Sequence, residues 1–237
     1  GGRRIERKVS LDIGRVHYDF IRFVGTTGDD PAEGYAWIPD TGDLRVGDKI
    51  AIVGAAGPMG QMHTMRAVTS DVPGISVVGT DLSDERLAGL KAVVGPVAEK
   101  RGVPLSIINT SVTPLEYGYT HITCLVPVPA LVAGAVDLAA EGAIINAFAG
   151  IPAGTFGDFD LQGIIERRIF MLGTSGSDVS DMRTVLHKIE EGIIDTSISL
   201  FAVTGMAGFG DAINSVINRT SGGKIMVFPM MHDLGLT

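Results

Sequence analysis

A single cysteine, Cys124, occurs in the 237 residues of this chain, so no internal disulfide can form, and a reducing cytosol is the expected compartment. Charged side chains are scarce at 19%, and their balance is acidic, with a formal net charge of −8 and a pI near 5.0. That sign argues against a phosphate-backbone partner, so no nucleic acid is expected. The cluster Arg3, Arg4, Arg7 and Lys8 is a local exception, read as a solvated tail. Long apolar runs are missing as well. The most apolar stretch, Cys124 to Ile151, is interrupted by Pro127, Pro129, Asp137 and Glu141, which excludes a membrane span there. No signal-peptide pattern opens the chain. It starts Gly1-Gly2 without methionine, as a processed, tagged or partial polypeptide would.

Catalytic signatures are sparse too. No Gly-x-Ser-x-Gly elbow and no Gly-x-x-x-x-Gly-Lys-Ser/Thr phosphate loop is present. Ser221-Gly-Gly-Lys224 ends a helical segment and starts a strand, the wrong order for a phosphate loop. The five histidines form no ligand or triad pattern. His17, in Arg15-Val-His-Tyr-Asp19, is the most suggestive. In a strand it would share a face with Asp19 but not with Tyr18, and a satisfied or surface role is the simpler reading. His63 falls early on a helix and could approach cofactor phosphates, although helix packing is the better explanation.

What is abundant is glycine, 32 residues, and hydrophobic residues, 45% of the chain. That balance suits an α/β protein with buried parallel strands and tight βα turns. The organising stretch is Lys49 to Val68. Ile50 to Val53 reads as a buried strand that empties into a turn with glycines at 54, 57 and 60, followed by an apolar-periodic helix with Pro58 in its first turn. A strand, a glycine turn and a helix start make an anion seat, because free backbone N–H groups and the positive helix end face a phosphate. The spacing is G-x-x-G-x-x-G, since Ala55 stands where G-x-G-x-x-G would need glycine. The next strand, Ile75 to Thr80, ends on Asp81, 21 residues beyond Gly60. That is close to the ~20 expected of the acid that hydrogen-bonds a ribose 2′-hydroxyl. A carboxylate there would repel a 2′-phosphate, so NAD is favoured over NADP. The blander role for Asp81 is to cap the helix beginning near Ser83.

Further strands are expected at Leu105–Ile108, His121–Val126, Gly142–Ala149 and Arg168–Leu172, with helices between them. One of these helices, Glu85 to Arg101, is expected to break at Gly95-Pro96. This alternation predicts a doubly wound parallel sheet, a Rossmann fold of about six strands. The expected division is 1–43, a strand (Val16 to Val24), turn and short helix forming an edge or the remnant of a missing lobe; 44–192, the nucleotide-binding domain; and 193–237, a C-terminal return segment belonging to a partial second lobe. Met59, Met62 and Met65 are expected to fill core. Residues 12–30 also echo residues 160–178 at a constant offset of 148. This reads either as two similar edges at the two ends of a pseudo-repeated sheet or as chance likeness between strands that end in glycine turns.

With these pieces placed, the chain resembles the medium-chain dehydrogenase/reductase family, the zinc-type alcohol and polyol dehydrogenases. The resemblance is carried by Leu44-Arg-Val-Gly-Asp-Lys-Ile-Ala-Ile-Val-Gly54, Ala56-Gly-Pro-Met-Gly60, Val78-Gly-Thr-Asp81 with Glu85-Arg86-Leu87, and Gly223-Lys224-Ile-Met-Val-Phe-Pro229. Within the family it is most similar to the L-sorbose-1-phosphate reductase branch, through Gly14-Arg-Val-His-Tyr-Asp19, Phe23-Val-Gly-Thr-Thr27 and Gly57-Pro-Met-Gly-Gln-Met-His63. The resemblance implies that Gly54, Ala55, Gly57, Pro58, Met59 and Gly60 hold the pyrophosphate. It puts Asp81 on the adenosine ribose and Arg86 along the adenine side. Val126, Pro127, Phe148, Ala149 and Gly150 would line the nicotinamide crevice at the carboxyl ends of two strands, and Gly173, Thr174 and Ser175 would close over it. It implies hydride transfer on a polyol or sugar-phosphate substrate, and a homodimer or homotetramer in which the sixth strand pairs with its twin.

The departures matter as much. Catalytic zinc in such enzymes needs a cysteine, a His-Glu pair and a further Cys or Glu. Here there is one cysteine, in a strand, and no His-Glu dipeptide, so zinc is expected only in a lobe absent from this chain. The short-chain dehydrogenase signature Tyr-x-x-x-Lys is also missing. The alternatives are a catalytically silent nucleotide-binding sensor or scaffold, and a zinc-free quinone-reductase-like enzyme, whose turn is also G-x-x-G-x-x-G.

Overall fold

The computed structural model describes residues 4–218 and 220–237. In chain order the elements are β1 (Val9–Asp12), α1 (Gly14–Tyr18), β2 (Arg22–Phe23), a 3-10 turn (Pro31–Trp37), β3 (Lys49–Val53), α2 (Pro58–Val68), β4 (Ser76–Asp81), α3 (Asp84–Arg101), β5 (Leu105–Asn109) and β6 (Tyr119–Cys124). There follow α4 (Pro129–Leu138), β7 (Ala139–Ala147), β8 (Phe156–Phe159), α5 (Leu161–Glu166), β9 (Phe170–Leu172), α6 (Val179–Glu190), β10 (Leu200–Thr204), α7 (Phe209–Ile217) and β11 (Lys224–Val227).

The main sheet has the strand order β2-β9-β7-β6-β3-β4-β5. Six strands are parallel, and the chain reverses direction across the sheet between β3 and β6, the arrangement of a Rossmann fold. Their near-continuous apolar character follows from burial on both faces. Ile50, Ile52 and Val77 point to the side covered by α2 and α3, while Ala51, Ile122, Cys124 and Ile145 point to the side covered by α4 and α5. The motif Leu44-Arg-Val-Gly-Asp48 ties the bottom of this sheet together. The Asp48 carboxylate, 3% exposed, accepts from the Arg45 amide and guanidinium and from the Thr120 hydroxyl, and Arg45 reaches on to the carbonyls of Thr120 and Gly142.

Several expectations are corrected. Val16 to Val24 is not one strand. Asp12 accepts from the Gly14 amide and starts α1, whose buried Val16 anchors it, and only Arg22 and Phe23 are extended. His17 and Asp19 therefore do not share a strand face. Helix α3 runs unbroken through Pro96, because Leu87, Leu90, Val94 and Ala98 form one buried stripe that spans the missing rung. Met65 is core, but Met59 and Met62 are each 38% exposed, since their side of α2 faces away from the sheet. Arg4 and Lys8 lie in an exposed stretch, as expected, and make surface ion pairs with Glu166 and Asp137. Residues 192–237 contain a strand that the sequence reading omits, β10, which pairs in parallel with β11 in a separate two-stranded sheet.

The 148-residue echo lies at one edge of the sheet, not at two ends. Strand β1 pairs antiparallel with β8, and β2 with β9, so Ser10 faces Asp158 and Phe23 faces Met171, each residue opposite its own counterpart. Phe20 and Arg168, also 148 apart, both adopt left-handed backbone, with φ of 54° and 52°. The two units β1-α1-β2 and β8-α5-β9 are thus related by a local two-fold. The outer edge of β9, expected to meet a twin strand from a second chain, is already occupied by β2.

Candidate functional site

Strand β3 ends at Val53 and the chain turns through Gly54, whose φ of +87° is a left-handed conformation that glycine adopts without strain. The amides of Gly54 and Ala55 both donate to the Thr80 carbonyl, at 3.0 and 2.8 Å, which pins the turn to the end of β4. Gly57 is the N-cap of α2, and Pro58 is its first residue. The first helical bond runs from the Gln61 N–H to the Gly57 carbonyl, so the amides of Met59 and Gly60 precede the ladder and remain available as donors. A side chain at Gly60 would collide with Gly54 and Ala55 backbone atoms, which is why the helix starts so close to the turn.

Asp81 stands at the end of β4 with its side chain only 10% exposed. Its Oδ1 accepts from the Leu82 amide at 2.8 Å, and its Oδ2 lies 3.3 Å from an Arg86 Nη. The cap of α3 is Ser83, whose hydroxyl accepts from the Arg86 amide, so Asp81 is released from that duty. The same guanidinium is 3.4 Å from where a Cβ on Gly57 would stand. Arg86 therefore spans the interval between the carboxylate and the glycine turn. Val126 packs against Gly54, and Pro127 is exposed beside it.

The other half of the expected set lies at the carboxyl ends of β7 and β9. The Ala149 amide donates to the Cys124 carbonyl at 2.9 Å, and Gly150 faces the Tyr18 hydroxyl, 2.7 Å from the place of a Cβ. Gly173 is buried against the α1 backbone at Val16. Phe148, Thr174 and Ser175 line an open cleft of about 660 Å³ together with His63, Arg66, His121, Thr123 and Asn146. Of these last five, the sequence reading does not join Arg66, His121, Thr123 and Asn146 to the site, nor Tyr18 of α1, while it weighs His63, and His17 of α1, and gives them plainer roles. The available signal was alternation along β6, which places His121 and Thr123 on one face. Burial lowers the His63 ring to about 4, and burial also lowers His17 and His121, so the rings at this end are neutral at pH 7. Cys124, fully buried, is pushed up to about 12.

Taken together, the arrangement offers a row of strand ends, two unladdered amides at a helix start and a carboxylate–guanidinium pair beside them. That geometry suits a diphosphate and its ribose. It does not suit zinc: among the described residues no three His, Cys, Asp or Glu side chains gather to hold a metal ion, and Cys124 faces away from water. No described helix is long and apolar enough to cross a membrane.

No model of a known protein family matches the chain. Among curated proteins it is 28% identical over 200 residues to YggP of Escherichia coli (strain K12), covering 78% of this chain and 46% of that protein. It is 27% identical over 208 residues to the mannitol-1-phosphate 5-dehydrogenase of Aliivibrio fischeri, covering 82% and 48%. The chain thus spans about half the length of these relatives. Among solved structures it is similar to a short chain alcohol dehydrogenase of Escherichia coli CFT073 complexed with NADH, at a TM-score of 0.61 and 21% identity over 79% of this chain and 54% of that one. It is also similar to the YhdH oxidoreductase of Salmonella enterica in complex with NADP, at a TM-score of 0.58 and 14% identity over 78% and 56%. The fold is that of the nucleotide-binding domains of alcohol-dehydrogenase-like oxidoreductases whose structures hold NAD or NADP.

Proposed function

We propose that this chain is the NAD-binding part of a zinc-type medium-chain oxidoreductase of the L-sorbose-1-phosphate reductase-like branch. It would transfer hydride between nicotinamide and a polyol or sugar-phosphate hydroxyl or carbonyl, the zinc lobe lying outside these residues. The observation that carries the reading is the closure of the Gly54–Gly60 turn onto Asp81 through Arg86. In this reading the Met59 and Gly60 amides bind the diphosphate, Asp81 accepts from the ribose hydroxyls, and Arg86 lies along the adenine. Phe148 to Gly150 and Gly173 to Ser175 flank the nicotinamide. Segments 1–43, 44–192 and 193–237 act as edge, nucleotide domain and return segment. The protein works in the cytoplasm as a homodimer or homotetramer, assembled through a surface other than the β9 edge.

Calorimetric titration of the purified chain with NAD and with NADP tests the reading. Saturable binding with NAD preferred supports it, and binding of neither, or preference for NADP, sinks it. The lack of a gathered metal-ligand set favours a second reading, a catalytically silent nucleotide-binding module. Turnover of sorbitol or mannitol 1-phosphate by any longer form of the protein excludes that second reading.

A further inference from the structure

The face of the sheet beside the nicotinamide end carries polar groups that the cofactor reading does not use. His121 and Thr123 of β6 lie on the same face as Ile144 and Asn146 of β7, with Thr123 directly opposite Asn146 in the register. Phe148 follows two residues beyond Asn146. Helix α2 covers the neighbouring strand β3 and stops short of this region, so the cleft is walled by His63 and Arg66 of α2, the Gly42–Asp43 loop and the start of α6 at Asp178 and Asp181.

His121 is 4% exposed, and its Nε2 lies 3.2 Å from the Gly42 carbonyl oxygen. A carbonyl only accepts, so Nε2 carries the hydrogen and Nδ1 is a bare acceptor. Among the described residues neither this Nδ1 nor the Asn146 Oδ1 has a hydrogen-bond partner, although both are buried. A third buried atom in the same condition, His17 Nδ1, belongs to a ring 5.6 Å from that of Phe148. The His63 ring packs edge-on to Phe148 at 4.6 Å. Buried polar groups are ordinarily paired, and two unpaired acceptors, His121 Nδ1 and Asn146 Oδ1, on residues that line one cleft with Phe148 mark a place where donors are wanted.

The charges at the rim narrow the choice. Asp43, Asp178 and Asp181 face the opening, while the cation there, Arg66, is already paired with Asp43. His63 and His121 are held neutral by burial. An anion would meet acceptors and carboxylates, whereas a hydroxyl group can donate to Nδ1 and Oδ1 while its C–H bonds lie on Phe148.

We propose that this cleft, between α2, α6 and the β6–β7 face, is a binding site for the uncharged, hydroxyl-rich part of a ligand, with His121 Nδ1 and Asn146 Oδ1 as the accepting atoms. The inference rests on the cofactor reading only for its orientation, because Phe148, Thr174 and Ser175 are shared with the proposed nicotinamide crevice. The ligand would enter from that side with its hydroxyls inward and any phosphate directed out of the cleft.

Histidine-ring nitrogen NMR of the whole chain tests this, with sorbitol and inorganic phosphate as probes, each with and without saturating NAD. The expected result is a saturable shift of the His121 Nδ1 resonance with sorbitol and none with phosphate. Asn146→Leu, nearly equal in volume, should weaken sorbitol binding by about tenfold while leaving the NAD titration unchanged. His121→Phe should abolish the sorbitol response seen at the remaining rings, and thermal unfolding of both variants shows that they fold. No saturable sorbitol shift, an undiminished response in Asn146→Leu, or competition by phosphate overturns the proposal. A His121 shift saturated by NAD alone, with no further change on sorbitol, also overturns it, since the acceptors would then belong to the carboxamide. Failure of NAD to bind would instead sink the cofactor reading, and the sorbitol titration would still decide this one.

Discussion

The Arg86 guanidinium lies 3.3 Å from the Asp81 carboxylate and reaches from it toward Gly57, so a single cation links the end of β4 to the glycine turn. While Asp81 is ionised, it both offers an acceptor to a ribose and holds Arg86 away from an incoming phosphate. Asp81→Ala should therefore weaken NAD binding by about tenfold or more, the scale of losing a charge-assisted hydrogen bond. It should also free Arg86 to pair with a 2′-phosphate, so that NADP binds at least as well as NAD. Calorimetry with both nucleotides reads the reversal, and an unchanged preference for NAD contradicts this account.

Gly60 and Gly89 should respond oppositely to alanine. A methyl group at Gly60 meets Gly54 and Ala55 backbone, which cannot move without breaking the bonds to Thr80. Gly60→Ala should cost about 1–3 kcal/mol. Gly89 is exposed on α3 with nothing near its missing Cβ, and Gly89→Ala should stabilise by about 0.5–1 kcal/mol. Urea unfolding midpoints give both signs.

Acid should destabilise the fold through His63. Its folded value is about 4 and its ordinary value 6.5, so between these the unfolded chain binds more protons than the folded one. The contribution of the neutral ring is complete above about pH 6.5 and is lost as pH falls toward 4. Burial at His17 and His121 acts with the same sign. Urea melts across this window should show stability falling with pH, and His63→Gln should flatten the slope.

Cys124 should be silent toward thiol reagents in the native protein. Full burial in β6 keeps the sulfur protonated, at about 12, and out of contact with solvent. Labelling by a disulfide reagent should proceed at the rate of global unfolding and accelerate steeply in urea. Rapid labelling of the native chain would show that β6 opens locally.

Deleting residues 1–24 should increase self-association of the chain. The deletion strips β2 from β9 and exposes an unpaired strand edge beside Met171 and Leu172. Light scattering should report larger species than for the intact chain, and an unchanged mass would show that β2 does not protect the edge.

The parallel sheet was legible in the sequence because strands buried on both faces are written as short apolar runs ending in glycine or aspartate, as at Ile50–Gly54 and Ile75–Asp81. The N-terminal segment was less legible. Val16 and Ile21 are β-branched and suit a strand, but the Gly14 amide's hydrogen bond to Asp12 and the packing of Val16 in the core override that local preference. Strand β10 hid for a related reason: its pairing with β11 spans some twenty residues, and no alternation within Leu200 to Thr204 announces it. The cleft residues were the least legible, because His63, His121 and Asn146 sit on three different elements and meet only once α2 crosses the sheet.

Where two identical subunits meet about an axis, whatever residue lies on the axis must confront its own copy, and an aspartate there repels itself. This polypeptide carries both sides of such a contact in one chain, and the two sides have been free to diverge. Asp158 faces the hydroxyl of Ser10 instead of another carboxylate, and Met171 faces the ring of Phe23. Joining the two sides covalently also makes the contact independent of protein concentration, so dilution cannot separate them.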